Sequence, residues 1–204
     1  MNKSGFMKDA IILFVITLVA GICLGAVYEI TKAPIQKANM AAKLGAYRAV
    51  FEQASDFKPT DSLTNAVEDS EDVLAAMDYG NVVVDDAVEA VDENGTVVGY
   101  VISSTSKDGY GGAVSISVGI DLEGVVKGIE YLAISETPGL GMNATNDDFK
   151  NKYKDKAVES FTVTKSGAAA DNEIDAISGA TITSSAVTNA VNAAICFVHN
   201  CVAQ

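Results

Sequence analysis

Eighteen consecutive residues, Ala10 to Val27, carry no charge and a single hydroxyl, that of Thr17. Nothing else in the chain restricts its folding as much, because a run this apolar has to be buried in protein or in lipid. As a helix rising 1.5 Å per residue it spans roughly 27 Å, enough for the hydrocarbon core of a bilayer, with Tyr28 at the interface. A cleaved signal peptide has a shorter apolar stretch and an A-x-A-like site, which Leu24-Gly25-Ala26 fits poorly. A lipoprotein signal needs a small residue before Cys23, and Ile22 stands there. The expected organisation is a short cytoplasmic tail (1–9), a transmembrane helix (10–28), a helical stalk (29–59) and a folded domain (60–204). Lys3 and Lys8 flank one end of the span while Lys32, Lys37 and Lys43 follow the other, so charge alone leaves the orientation open. A short tail retained inside is the simpler default. It places the domain on the extracytoplasmic side of the cell membrane.

The rest of the chain is acidic. The formal charge is -13, carried by 27 acidic against 14 basic residues, and a surface of that sign repels phosphate backbones; nucleic-acid binding is not expected. His199 is the only histidine, which excludes a multi-histidine metal site and leaves little for a Ser-His-Asp triad. The three cysteines, Cys23, Cys196 and Cys201, form no C-x-x-C pair. Residues five apart on a helix face different ways, so a Cys196–Cys201 disulfide is not expected either. No metal is expected.

Beyond Pro34, Ile35, Met40, Leu44, Tyr47 and Phe51 recur at roughly helical spacing. Residues 60–86 are acidic and weakly periodic and read as a loop with a short helix near Val73 to Met77. The period then becomes two. "AVEAVDENGTVVGYVISSTS" reads as strand, Asn94-Gly95 turn, strand, and "AVSISVGIDLEGVVKGIEYLAIS" repeats that plan around Asp121 to Gly124. The last 25 residues return to helical spacing, with Val187, Val191, Ala194, Ile195 and Val198 as the apolar stripe. Four successive antiparallel strands between helices predict an α+β domain, helices packed on a mainly antiparallel sheet.

Three glycine-bearing loops lie at element ends, where ligands tend to bind: "DGYGGAV" from Asp108, "ETPGLGM" from Glu136 and "DAISGATITS" from Asp175. The first two are explicable as turns, Pro138-Gly139 in particular as type II. The third invites a helix-capping account, with Ser178 or Thr181 accepting a backbone N–H. Capping uses one hydroxyl and leaves Asp175, Gly179, Ala180 and the hydroxyls of Thr183 to Ser185 unexplained. A helix start favours an anion, and the lysine-bearing P-loop spacing is missing, so a phosphate held in some other way is the physical alternative.

"DAISGAT" resembles the D-x-x-[ST]-G-A-T signature at which a flavin transferase esterifies FMN phosphate to the final threonine. Together with "ETPGLG", "GYGG" and the membrane exit "GAVYEITKAPI", it makes nearly the whole chain similar to the G subunit of the Rnf ion-translocating oxidoreductase. The resemblance implies a flavoprotein with FMN joined to Thr181 as a phosphoester. It also implies assembly with the A, B, C, D and E subunits of the complex and electron flow from ferredoxin to NAD coupled to sodium or proton movement. Thr181 has no histidine beside it to activate its hydroxyl, a difficulty that a separate transferase removes. For flavin contacts, loop placement nominates Asp175, Ser178, Gly179 and Ala180, then Glu136, Thr137, Gly139 and Leu140, then Gly109, Tyr110 and Gly111. No dinucleotide G-x-G-x-x-G and no iron–sulfur cysteine cluster occur, so the protein is expected to be a relay and no catalytic residue is nominated. Two other readings remain: the longer, related C subunit of the sodium-pumping quinone reductase, and a non-catalytic membrane-tethered assembly module. Cys23, alone in the span, has the packing role of a small apolar side chain.

Overall fold

The computed structural model describes residues 3–202, with side chains from residue 7, and it divides into two units that meet in sequence between Ala42 and Lys43. The first two residues of the expected cytoplasmic tail lie outside the described residues. Helix α1, Lys3–Val50, begins in the first unit and ends in the second. It passes through Pro34, after which the sequence was read as helical. A proline inside a helix costs one hydrogen bond and a clash, about 3 kcal/mol, which long flanks of Ala, Lys, Gln, Met and Leu can absorb. In the first unit the large apolar side chains from Met7 to Ile30 are all exposed, Leu24 at 72% and Ile30 at 75%. Among the described residues, two helical segments are long and apolar enough to cross a membrane, Met7–Val50 and Thr181–Val202, but the second is mostly buried in its own domain.

In the second unit, five antiparallel strands lie in sequence order: β1 Asp56–Lys58, β2 Val82–Val91, β3 Val97–Ser106, β4 Val114–Asp121 and β5 Val126–Ala133. The two expected hairpins are present and share one turn chemistry. Gly95 N donates to Asp92 O, Asp92 N donates to Thr96 O, and Asp92 Oδ1 receives the N–H groups of Asn94 and Thr96 at 2.8 Å. Asp121 does the same for Glu123, Gly124 and Val125. In each turn the fourth residue is a glycine at positive φ, 79° for Gly95 and 82° for Gly124, a conformation that an L side chain resists. The Asn94-Gly95 connection is therefore a three-residue loop closed by an aspartate, and not a two-residue one.

Residues 60–86 hold a fifteen-residue helix where a loop with a short helix near Val73 to Met77 was expected. Helix α2, Asp61–Ala75, starts at Thr60, whose hydroxyl accepts the N–H of Leu63, and buries Leu63, Ser70 and Leu74. Its apolar face is narrow and its exposed face carries most of the acids, which weakened the period in the sequence. The hydroxyl of Ser70 turns back to Val67 O at 2.7 Å, so a polar residue fits the buried stripe.

The sheet is covered on both faces. On one side, α2 and helix α4, Thr181–Phe197, close a core with Ile102, Ile116, Val118, Ile120 and Val126, and the whole predicted stripe from Val187 to Val198 is inside it. On the other, Tyr47, Val50 and Phe51 from the end of α1 pack with Val88, Ala90 and Val101. Gly119 permits that approach, since a Cβ there would fall 2.5 Å from Val50 O. Tyr47 donates to Asp86 at 3.0 Å, and Lys43 meets the same carboxylate oxygen at 2.6 Å.

Between β5 and α4 the chain makes a 3-10 turn at Gly141–Thr145, a one-turn helix α3 at Asp147–Lys150, and two short parallel strands, β6 Thr162–Thr164 and β7 Glu173–Asp175. Tyr153 is wholly buried here, stacked edge-on between Phe149 and Phe161, with its hydroxyl 2.8 Å from that of Thr188 on α4. Burial pushes its phenol well above the ordinary tyrosine range. Cys196 is buried, Cys201 half-buried and Cys23 exposed, all as free thiols.

Candidate functional site

The loop before α4 answers the capping question directly. Ile177 to Ala180 forms a β-turn, closed by Ala180 N donating to Ile177 O at 2.9 Å, with Gly179 at φ 76° and Ser178 exposed at its corner. The residue at the N-cap is Ala180, which has no capping side chain. Ser184, one turn into the helix, stabilises the junction instead: its hydroxyl receives Ile177 N–H and donates to Ala180 O, both at 2.9 Å. Neither Ser178 nor Thr181 caps. Among the described residues, the N–H groups of Thr181, Ile182 and Thr183 meet no acceptor from the chain, so the first turn of a helix buried along its length presents three unpaired donors.

The residues that carry those donors help to line a cavity of about 550 Å³, together with Tyr110, Glu136, Thr137, Leu140, Gly141, Gly179 and Ala180. Small-molecule sites span roughly 300–1,000 Å³. All three glycine-bearing loops thus converge on one place. Of the nominated residues, Thr181, Gly179, Ala180, Glu136, Thr137, Leu140 and Tyr110 line the cavity. Gly109 and Gly111 sit immediately behind it, next to Glu136: Gly111 donates its N–H to Glu136 Oε2 at 3.1 Å, and a Cβ at Gly109 would come within 3.2 Å of Oε1. Gly139 stands at φ 76° in the turn that Thr137 O closes with Leu140 N, and does not line the cavity. Asp175 ends β7, its carbonyl accepting from Lys152 Nζ at 3.0 Å; it and Ser178 are likewise absent from the lining.

Gly141, Ile182 and Thr183 complete the lining and were not nominated. Ile182 and Thr183 follow directly from a helix starting at Thr181. Gly141 does not: a Cβ there would fall 2.7 Å from Thr183 Oγ1 and 2.8 Å from Glu136 Oε2, a contact between distant loops that only the fold reveals.

The chemistry of the cavity is polarised. At one end are the three N–H groups and the hydroxyls of Thr181 and Thr183, neither of which hydrogen-bonds within the chain among the described residues. Beside Thr183, across Gly141, is Glu136, only 8% exposed, whose Oε1 is buried without a partner among the described residues. No lysine or arginine lines the cavity. Tyr110, Leu140 and Ile182, exposed at 73%, 44% and 54%, give the mouth an apolar rim. A phosphate at the helix start and a flat heteroaromatic body against the rim are what such a site accommodates, and FMN supplies both.

A model of the FMN-binding domain matches residues 109–196, from the first glycine loop to the end of the α4 core. The G subunit of the Na(+)-translocating ferredoxin:NAD(+) oxidoreductase complex of Acetobacterium woodii is 36% identical, covering 95% of this chain and 91% of that protein. The G subunit of the proton-translocating ferredoxin:NAD(+) oxidoreductase complex of Clostridium ljungdahlii is 33% identical, covering 92% of each. Among solved structures, the C subunit of the Na(+)-translocating NADH-quinone reductase of Parabacteroides distasonis is 23% identical, with a TM-score of 0.47 over 60% of this chain and 62% of that one.

Proposed function

Since the chain belongs to the family of G subunits of ion-translocating ferredoxin:NAD oxidoreductase complexes, we propose that it is the subunit that relays electrons through FMN tethered to Thr181. The observation that carries this reading is the Thr181 hydroxyl, free of intramolecular hydrogen bonds, at the mouth of a cavity whose helix start offers three unpaired N–H groups. The flavin supplies the redox chemistry when bound. The chain's own residues position it: the first turn of α4 holds the phosphate, Gly141 and Gly111 leave room for backbone approach, and Tyr110, Leu140 and Ile182 screen the site from water. A flavin transferase makes the link from a flavin nucleotide with an activated phosphate: the Thr181 oxygen takes the FMN phosphoryl group, the donor's leaving half departs with the hydroxyl proton, and the chain gains FMN less one water.

Residues 10–28 cross the membrane once, behind the tail of residues 1–9. Residues 29–59 lead to a domain, 60–204, on the extracytoplasmic side, in contact with the A, B, C, D and E subunits of the Rnf complex. A covalent cofactor suits that side, where a dissociated flavin would be lost by diffusion. The test is the intact mass of the chain co-produced with a flavin transferase. The wild type should carry FMN less one water, and Thr181→Ala should carry none. An equal adduct on Thr181→Ala would remove the assignment, and mapping of the adduct to Thr183 would move it by two residues.

A further inference from the structure

Asn94-Gly95 brings reactive chemistry into the first hairpin turn. Of the asparagines in the chain, Asn94 alone is followed by glycine, and both residues are exposed. An asparagine side chain is a latent electrophile, which is why asparagine counts among the thermolabile residues. The backbone nitrogen of the next residue attacks its amide carbon most readily when that residue has no side chain. Nothing crowds Gly95, where an added Cβ would meet no atom within 4 Å. The bonding of the turn opposes the attack. The nucleophile, Gly95 N–H, donates to Asp92 O at 3.0 Å, and the leaving group, Asn94 Nδ2, donates to Asp92 Oδ2 at 3.3 Å. Asp92 Oδ1 receives the N–H groups on either side, those of Asn94 and Thr96, at 2.8 Å. The β4–β5 turn makes the same backbone bonds with Glu123 where Asn94 stands: Gly124 N–H meets Asp121 O at 3.1 Å, and Asp121 Oδ1 receives Glu123 and Val125. The turn itself therefore does not require an asparagine.

We infer that Asn94 is a site of spontaneous deamidation, and that the Asp92 carboxylate sets its rate by holding the turn closed around the two reacting nitrogens. In the reaction, the bond from Gly95 N to Asn94 Cγ forms and the Cγ–Nδ2 bond breaks. Nδ2 leaves with the Gly95 proton as ammonia. Water then opens the cyclic imide at either carbonyl and leaves aspartate or isoaspartate at position 94, so water is the only co-reactant. Both products add a negative charge beside Asp92 and Glu93, and isoaspartate also lengthens the main chain inside the turn that joins β2 to β3.

The experiment incubates the full-length chain in detergent at neutral pH, as wild type, Asp92→Ser, Asp92→Ala and Asn94→Glu, folded and in urea. Chromatography and mass of the peptide holding residue 94 resolve asparagine, aspartate and isoaspartate. In urea, Asn94 should convert before any other asparagine of the wild type. The folded wild type should convert it at least about tenfold more slowly than the urea-unfolded chain, because attack has to wait for local opening of the turn. Among folded chains, Asp92→Ala should lose Asn94 about tenfold faster than wild type, the effect of one lost hydrogen bond to a charged group, with Asp92→Ser between them. Asn94→Glu, which copies the β4–β5 turn, should melt close to the fresh wild type and give neither product. Folded wild type reacting within about twofold of its rate in urea would overturn the proposal, as would folded Asp92→Ala and Asp92→Ser within about twofold of folded wild type. Should Asp92→Ala not fold, Asp92→Ser decides alone. Conversion of another asparagine ahead of Asn94 in urea would overturn it as well.

Discussion

Asn192, on the buried face of α4, acts as a strand partner. Its Oδ1 receives Phe161 N–H at 2.7 Å and its Nδ2 donates to Phe161 O at 2.9 Å, so one side-chain amide satisfies both backbone groups of a residue in the sequence-remote segment that leads into β6. Asn192→Leu leaves that N–H and C=O buried and unpaired, each at a cost of roughly 1–3 kcal/mol. The melting temperature of the purified chain should fall clearly, and an unchanged value would count against this role. Neither this residue nor Glu136's free oxygen was legible in the sequence, where asparagine in an apolar helix reads only as an interruption. Thr181 was legible because its neighbours form a contiguous signature. Gly141 was not, because its constraint comes from Thr183 and Glu136, which meet only in the fold.

At the scale of elements, the two Asp-x-x-Gly turns were readable because all their chemistry is local. Asp92 has a titration consequence. Its carboxyl is held below the usual carboxylate range, chiefly by the N–H of Thr96 and further by Asn94. With the folded value below the unfolded one, the stabilisation is complete above the unfolded pKa of about 4 and is lost as pH falls through the folded value. Asp92→Asn keeps an oxygen acceptor but does not titrate, so its melting temperature, followed from about pH 5 to pH 2, should decline less than that of the wild type. Identical declines would remove Asp92 from the acid response. Helix α2 and strands β6 and β7 were not readable, for opposite reasons. The acids of α2 dilute a period that is present, whereas each of the short strands gains its partner across an intervening loop.

At the scale of the whole molecule, the apolar helix and the flavin-site geometry make separate predictions. Protease added to sealed, right-side-out membrane vesicles should digest the chain beyond Tyr28, while digestion only in inverted vesicles would reverse the proposed topology. In an assembled complex, Thr181→Ala should abolish ferredoxin-to-NAD electron flow and leave the protein in place, since neither the apolar span nor the sheet depends on that half-buried hydroxyl. Undiminished flow through a fully assembled Thr181→Ala complex would end the relay role. Helix α4 joins the two concerns, because its first turn lines the cavity while its body covers the sheet. Synthesis runs from the N-terminus, so strands β1 to β5 leave the ribosome with one apolar face covered only in part, by α2, until residues 181–197 follow. The segment that ends that exposure is the same one that presents Thr181, the proposed acceptor. On the proposed reading, cofactor loading is therefore timed by the fold itself: a chain interrupted before α4 offers a transferase nothing to modify and offers chaperones and proteases a sheet face that only α2 covers.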